Sequence, residues 1–529
     1  MTYTRRGLFA AAAAISFARP VRAAEDSPVT GGTLIAVIQP EPTVLSSAFL
    51  ANYYVGVVAN NMFDGLLRYD MQFNPLPGLA ETWELAPDGL SITFHLRKNV
   101  SWHDGKPFTA EDIRFSFMEI LKKYSARART NFEPLAGIDT PDPQTAVFHL
   151  SAPAPAMISC FDGHDAQVLP AHLYQGTDIL RNPYNSKPIG TGPFRFKEWA
   201  RGEYIQLDRN PDYWDKGKPY LDKIIFRFIP DAESRADALE TGAVQYGPYD
   251  SIPFADYKRI KSVPGLSVSA KGYDYQSQML LLEMNVRRKY TSRLEVRQAI
   301  AHVISLERLT QTVWYGVGKA ATGPVPSTSG FYDINGTPQY SYDVTKANDL
   351  LDKAGFARGE GGIRFSLAIA YMPFNDTLKR SAEFVHQSLK AVGIDAQIYN
   401  TDLASYTQKV YTDYDFDLNL GTFAAFFDPD MGLIRFYWSK LLKAGIPWVN
   451  ASGYSNPKMD DIIVQQKREL DPVRRKELIH QMQELAMTDL PILPLMEMQH
   501  FTVYSDRLHG LNQAPDGALV ALTTAWLKK

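Results

Sequence analysis

The chain has 529 residues, of which 45% are hydrophobic, 21% charged and 12% aromatic, ordinary globular values that exclude disorder, collagen-like repeats and coiled coil. Lys+Arg 55 against Asp+Glu 58 leaves a net charge of −3, with no basic excess for nucleic acid. The single cysteine, Cys160, excludes an internal disulfide framework and a cysteine cluster for zinc or iron–sulfur. At roughly 150 residues per domain, the length fits three or four domains or two large lobes.

Residues 1–23 read as an address. Thr4-Arg5-Arg6-Gly7-Leu8-Phe9 precedes the apolar stretch 10–15, and Val21-Arg22-Ala23 places small residues where signal peptidase cuts. The paired arginines resemble the twin-arginine export type, with a mitochondrial transit peptide as the alternative. The apolar run is far short of the roughly 18 residues of a membrane span. Cleavage would remove four arginines and no acid, moving the net charge from −3 to −7. No cysteine lies near the cut, so the expectation is a periplasmic protein without a lipid anchor.

Thr33–Ile38 reads as a strand ended by Pro40 and Pro42, and Ser91–Leu96 alternates as a half-buried strand. Thr109-Ala110-Glu111-Asp112 is a capping-box pattern opening a helix with Ile113, Phe117, Ile120 and Leu121 on one face. Turn signals then run to about 190. Tyr273 and Tyr275, two apart, are expected on one face of a strand. From about 360 the pattern becomes strand–helix–strand: 364–371, a helix with Leu378, Ala382, Val385, Leu389 and Val392 inward and Gly393 as cap, then 396–399 and 416–420. Such connections favour parallel pairing. Asp471-Pro472 starts another helix with Leu478, Met482 and Leu485 inside, and the stretch 491–494, bounded by two prolines, is expected to break it before an extended segment near 501–504. Together these make an α/β protein with more than one sheet.

Catalytic and cofactor motifs are missing. There is no G-x-x-x-x-G-K-S/T, no H-E-x-x-H and no G-x-S-x-G, and Gly190-Thr191-Gly192 and Gly316-Val317-Gly318 read as turns. His103-Asp104 reads as a structural turn rather than a metal pair. Ser455-Asn456-Pro457-Lys458 has S-x-x-K spacing, but Pro457 belongs at the first helical position with Asn456 as cap, which leaves Ser455 outside the helix. No enzyme activity, metal or cofactor is expected. Asp428 and Asp430 could serve glycoside chemistry only at a separation that sequence does not give.

Four groups of segments carry a resemblance. They are 81–83 with 93–97 and Trp102-His103-Asp104-Gly105-Lys106-Pro107-Phe108-Thr109; Ile189-Gly190-Thr191-Gly192-Pro193-Phe194 with Asn210-Pro211-Asp212-Tyr213-Trp214, 229–231 and 238–242; Val296-Arg297-Gln298-Ala299-Ile300; and Tyr454-Ser455-Asn456-Pro457 with Asp489-Leu490-Pro491. In this order, over essentially the whole mature chain, the sequence resembles the periplasmic solute-binding proteins of ABC importers, in the peptide/nickel/opine group (extracellular solute-binding protein family 5). The resemblance implies a two-lobe periplasmic-binding-protein fold of type II, with an extra inserted domain in the first lobe. The expected limits are 28–68 for the first part of lobe I, 69–187 for the insert, 188–284 for the second part of lobe I, 285–490 for lobe II and 491–529 for the return to lobe I. It also implies a monomer that closes on a small-molecule ligand and hands it to the transmembrane subunits of an ABC permease.

By the same resemblance, peptide-binding members hold the ligand's amine with an aspartate shortly before a D-P-D turn. Asp428 and Asp430 match the turn, and the aspartate's place is taken by Ala425. Dipeptide binders carry a carboxylate-binding arginine after the strand matching 366–372, and here Tyr371-Met372-Pro373-Phe374-Asn375-Asp376 has none before Arg380. A free-amine dipeptide is therefore disfavoured, and Ala425→Asp is expected to improve peptide binding. Nickel-type members use a histidine near the turn, absent here, and an insert arginine where Phe161-Asp162-Gly163-His164-Asp165 stands. Phe423, Phe426 and Phe427 are expected to form an aromatic wall, with Tyr273, Tyr275, Tyr371, His164 and Trp438 as further contacts. The solute classes left are peptides or modified peptides, opines, oligosaccharides and chelates. A periplasmic sensor or chaperone, or a hydrolase on this fold, are the rival readings.

Overall fold

The computed structural model describes residues 27–511 and 513–529; the expected export signal lies outside the described residues. Thr33–Ile38 forms the strand expected and pairs in parallel with Lys223–Phe228 and Tyr246–Gly247 inside a seven-stranded mixed sheet. The alternation Ile224, Phe226, Phe228 buries one face of that sheet against the first hydrophobic core.

A separate four-stranded antiparallel sheet, Ala80–Leu85, Ser91–Leu96, Thr145–Leu150 and Leu135–Asp142 in spatial order, lies within the range expected for the insert. Its helix begins at Ala110 with the capping box formed: the Asp112 carboxylate accepts from the Thr109 N–H at 2.9 Å. Ile113, Phe117, Ile120 and Leu121 are all buried. Phe117 packs edge-on against Phe148 at 4.9 Å and Phe132 at 5.0 Å, and Phe94 meets Phe161 at 4.8 Å. This aromatic knot fixes two short segments that matter below, the helix Ala126–Asn131 and the turn 161–165.

The second large sheet has six strands, in the order Lys319–Ala320, Ile492–Glu497, Gln278–Met284, Leu418–Ala424, Phe365–Tyr371, Ile394–Tyr399. The expected crossover is present: Phe365–Tyr371 and Ile394–Tyr399 pair in parallel around the helix Asp376–Ala391. Leu378, Ala382, Val385, Leu389 and Val392 are fully buried. Gly393 has φ +79°, and a Cβ there would come within 2.5 Å of the Gly362 carbonyl oxygen, so only glycine fits this cap.

Two expected boundaries move. Gln278–Met284, placed in lobe I by the limit at 284, and Ile492–Glu497, placed there by the limit at 491, are both central in the second sheet. The chain therefore crosses between the large sheets at residues 270–277 and 498–501. The helix Pro472–Asp489 ends just before Pro491, as expected, and extended chain follows, already as a strand from Ile492. Pro494 lies within a strand, opposite a register shift between Leu280 and Leu281, and the neighbour on its other side pairs only with Met496 and Glu497. A missing N–H is tolerated there because no ladder bond needs it. The turn before it comes from Leu490, left-handed at φ +46°.

Arg297 holds that turn. Its guanidinium donates to the carbonyl oxygens of Thr291 (2.8 Å), Ser292 (2.9 Å), Asp489 (2.7 Å) and Leu490 (3.1 Å). Arg297→Leu would leave these buried acceptors without donors, and a loss of about 3 kcal/mol is expected in urea unfolding.

Candidate functional site

Beside the two crossings between the sheets, 270–277 and 498–501, lies an open pocket of about 170 Å³ whose lining includes Tyr273, Asp274, Ser277, Lys319, Thr328 and His500. Residues 273–275 form turns rather than the expected strand, because Gly272 at φ +84° and Ser277 at φ +38° bend the chain at both ends. The two tyrosines consequently diverge. Tyr273 stays at the crossing, sharing a 2.5 Å hydrogen bond with the Thr502 hydroxyl and accepting from the Tyr249 N–H at 3.0 Å. Tyr275 turns toward the insert.

There the lobes meet. The Tyr275 hydroxyl donates to the Asp165 carboxylate, which also takes Arg127 Nη2 at 2.9 Å. The Arg127 guanidinium lies 4.3 Å from the centre of the Phe426 ring, and Phe426 packs edge-on against Tyr275 at 5.8 Å. Beside it Phe427 stacks on Phe73 at 3.6 Å with 12° between the planes, and Cys160 Sγ lies 3.4 Å from Met431 Sδ. Arg127, Asp165, Phe73 and Cys160 come from the insert region, whereas Phe426, Phe427 and Met431 follow the second-lobe strand Leu418–Ala424.

Both phenylalanines reach the first lobe because the strand has ended. Phe426 takes φ +54°, a left-handed conformation held by its N–H donating to the Gln276 carbonyl oxygen at 3.0 Å. Strand alternation therefore does not separate 426 from 427. Phe423, still on the strand, points the other way, buried against Phe436 at 4.7 Å in the second core, so it forms no part of the wall.

Asp428 leaves the ligand list. Its carboxylate receives Arg475 Nη1 at 2.6 Å and Nη2 at 2.7 Å, a buried bidentate pair. Asp430 is taken by Lys467 at 3.0 Å. Their role is to fix the turn that carries Phe426 and Phe427. Removing one partner of such a pair costs about 3–5 kcal/mol. Ala425 is fully buried among second-core residues, with Gly432 close against its carbonyl, so an aspartate there would be a buried carboxylate rather than an open amine receptor.

The remaining expected contacts lie off this face. Tyr371 donates to Asn400 Oδ1 at 2.7 Å beside the second sheet. Arg380, exposed on its helix, donates to the Tyr315 hydroxyl at 2.9 Å. Trp438 is half-buried, with the Lys440 and Lys467 ammonium groups 5.4 and 5.6 Å from its ring centre. His164 is buried behind the insert face: a Cβ on Gly56 would come within 2.7 Å of its Nδ1. Burial, followed by the Arg127 charge, pulls its pKa to about 3, so it is neutral.

Charge at the meeting face is finely placed. Burial opposes the cation at Arg127, but Asp165, Tyr275 and Asp162 together raise the guanidinium above its ordinary value. Burial, then Asp165, pushes the Asp162 carboxyl well up, and burial lifts Asp516 to about 7. Burial also raises the Asp165 carboxyl, against the pull of Arg127 and the Tyr275 hydroxyl, so the Arg127–Asp165 pair sits among acids whose ionisation burial opposes. Among the described residues no group of three or more His, Cys, Asp or Glu could hold a metal ion. Sequence reasoning missed Arg127, Asp165 and Phe73, whose partners are far along the chain; the non-glycine positive φ of Phe73, +63°, is visible only in three dimensions.

Comparison with known proteins agrees with this geometry. Residues 74–441 match the bacterial extracellular solute-binding proteins, family 5. The chain is 30% identical over 491 residues to a di/tripeptide-binding protein of Pseudomonas aeruginosa, covering 87% of each chain. It is 26% identical over 524 residues to the oligopeptide-binding protein AppA of Bacillus subtilis, covering 95% of this chain and 93% of that one. The solved structure of AppA with a nonapeptide superposes with a TM-score of 0.77 at 26% identity, over 95% of this chain and all of that one. The chain is a type II, two-lobe member of the family of extracellular solute-binding proteins, family 5. It is thus a substrate-binding component of an ABC importer, and it is not an enzyme. No helix among the described residues is long and apolar enough to cross a membrane.

His500, at the second crossing, donates to Asp250 Oδ2 at 2.5 Å. Burial alone would lower its pKa, but Asp250 overrides that and raises it above the ordinary 6.5. A raised folded value stabilises the fold below about pH 6.5, and that contribution disappears as pH rises through the folded pKa. In melting curves from pH 5.5 to 9, the advantage of the wild type over His500→Gln should be largest at the acid end and should shrink with rising pH.

Proposed function

We propose that the protein captures a small solute where the insert meets the segment 425–431, the lobes turning about the crossings at 270–277 and 498–501. The observation that carries this reading is the pairing of Arg127 and Phe73 from one side with Phe426 and Phe427 from the other. These are aromatic and cationic surfaces of the kind that grip a solute when a hinge closes. The similar proteins named above are peptide binders, which supports a peptide or modified peptide. The buried Ala425 and the arginine-free stretch 372–376 lower the case for an ordinary free-amine dipeptide and leave opine-like and oligosaccharide-like solutes in view. In this reading residues 1–23 direct twin-arginine export, and the mature protein is an unanchored periplasmic monomer carrying an inserted domain over about 69–187.

Native mass spectrometry of the protein purified from a periplasmic fraction tests this reading. The expected result is a monomer beginning at Ala24 that carries one small molecule, released on denaturation. A protein that retains nothing, and is not stabilised by any of a panel of peptides, opines and oligosaccharides, would contradict it.

A further inference from the structure

Arg435, half-buried with its Nε out of water, stands apart from the well-buried arginines. Arg475 has Asp428, Arg127 has Asp165, and Arg297 has four carbonyl oxygens. Arg364 has Asp352 and the carbonyl oxygens of Phe356 and Val392. Arg435 makes no hydrogen bond or salt bridge among the described residues, and its Nε is buried without a partner.

Its place is well fixed. The helix Ile434–Tyr437 follows directly on the D-P-D turn that Arg475 and Lys467 anchor. Ile434, Phe436 and Tyr437 are buried in the second core, while Arg435 is half-buried with its guanidinium carbon 4.8 Å from the centre of the Phe436 ring. The charged groups that act on it are Arg127 across the lobe interface and Glu283 from the central strand of its own sheet, with the Tyr411 phenol also near. Arg127 is already matched by Asp165. Glu283 accepts from Asn419 Nδ2 at 2.6 Å, and burial raises its pKa to about 7, so it supplies only part of a counter-charge at neutral pH. Burial, and with it the like charge of Arg127, pulls the Arg435 pKa down to about 10.

A guanidinium out of water keeps its charge at low cost only when an anion fills its fork. We propose that the solute carries a carboxylate or an equivalent oxyanion, and that Arg435 receives it where the lobes meet. The inference rests on the solute-receptor reading and narrows it to anionic solutes. It also supplies a carboxylate receptor on a different element from the arginine-free stretch 372–376. Two N–H groups of the fork can meet both oxygens of a carboxylate, an arrangement that a lysine or an amide does not reproduce.

The test compares wild type with Arg435→Met, similar in length and uncharged, after bound material has been removed by unfolding and refolding. With no ligand present, the variant should melt about 1–3 °C higher, since an uncompensated cation has been removed. A variant that melts lower would mean that Arg435 is paired within the protein, and would overturn the proposal whether or not any solute is found. Binding is then read by calorimetry with N-acetyl-trialanine as the free acid and as the C-terminal amide. The acid should bind the wild type and weaken roughly 30-fold or more in Arg435→Met, with the amide weak to both. Equal binding of acid and amide, or acid binding indifferent to the substitution, would overturn it. If neither form binds the wild type, the failure falls on peptide capture, and the melting comparison still decides the role of Arg435.

Discussion

Contact between the two lobes depends on one buried charge pair set among rings. Arg127 is held by Asp165 and Tyr275 with its guanidinium carbon 4.3 Å from the centre of the Phe426 ring, so the same guanidinium satisfies a carboxylate within the first lobe and an aromatic face from the second. Each end of this contact is held by packing on its own side. The Phe94–Phe117–Phe148–Phe161 knot fixes Arg127 and Asp165, and the Asp428–Arg475 pair fixes the turn that presents Phe426 and Phe427. A desolvated cation–ring contact contributes about 2 kcal/mol and a stacked ring pair about 1 kcal/mol. Such sums hold two lobes together and still let a hinge open, which a receptor that must release its cargo requires.

The hinge follows from topology. Among the described residues two stretches, 270–277 and 498–501, link the first large sheet to the second, each short and bent. The Phe426 N–H donates to the Gln276 carbonyl within the first of them, so the backbone of the gripping segment is tied directly to the turning one. The presentation of Phe426 is therefore tied to this crossing by two backbone hydrogen bonds, from Phe426 to Gln276 and from Ala425 to Ser277, and by a left-handed residue.

The periodic elements were legible in the sequence because local pattern and burial agree. The inward positions of the helix Asp376–Ala391, the strand Thr33–Ile38 and the Thr109 capping box all follow from spacing within one element. Legibility failed where a distant partner decides. Tyr273 and Tyr275 have strand spacing, but glycine and serine at positive φ turn them apart. Asp428 looks like an open acid until Arg475, 47 residues on, occupies it. Pro491 and Pro494 mark the end of the helix before them, but that Pro494 then sits inside a strand depends on the register shift opposite it. Phe426 and Phe427 stand out in the sequence, but the reason that both face the first lobe is the end of the strand at Ala424. Arg127 and Asp165, 38 residues apart, carry no local mark at all.

The claim that Arg127 clasps the lobes is tested most directly by measuring the distance between them. Nitroxides at the exposed positions Glu133, on the insert, and Lys443, on the second lobe, report it by pulsed electron spin resonance. The account predicts one short distance in the wild type and a longer, broader distribution in Arg127→Ala. An unchanged distance in Arg127→Ala would show that the lobes are held by something else.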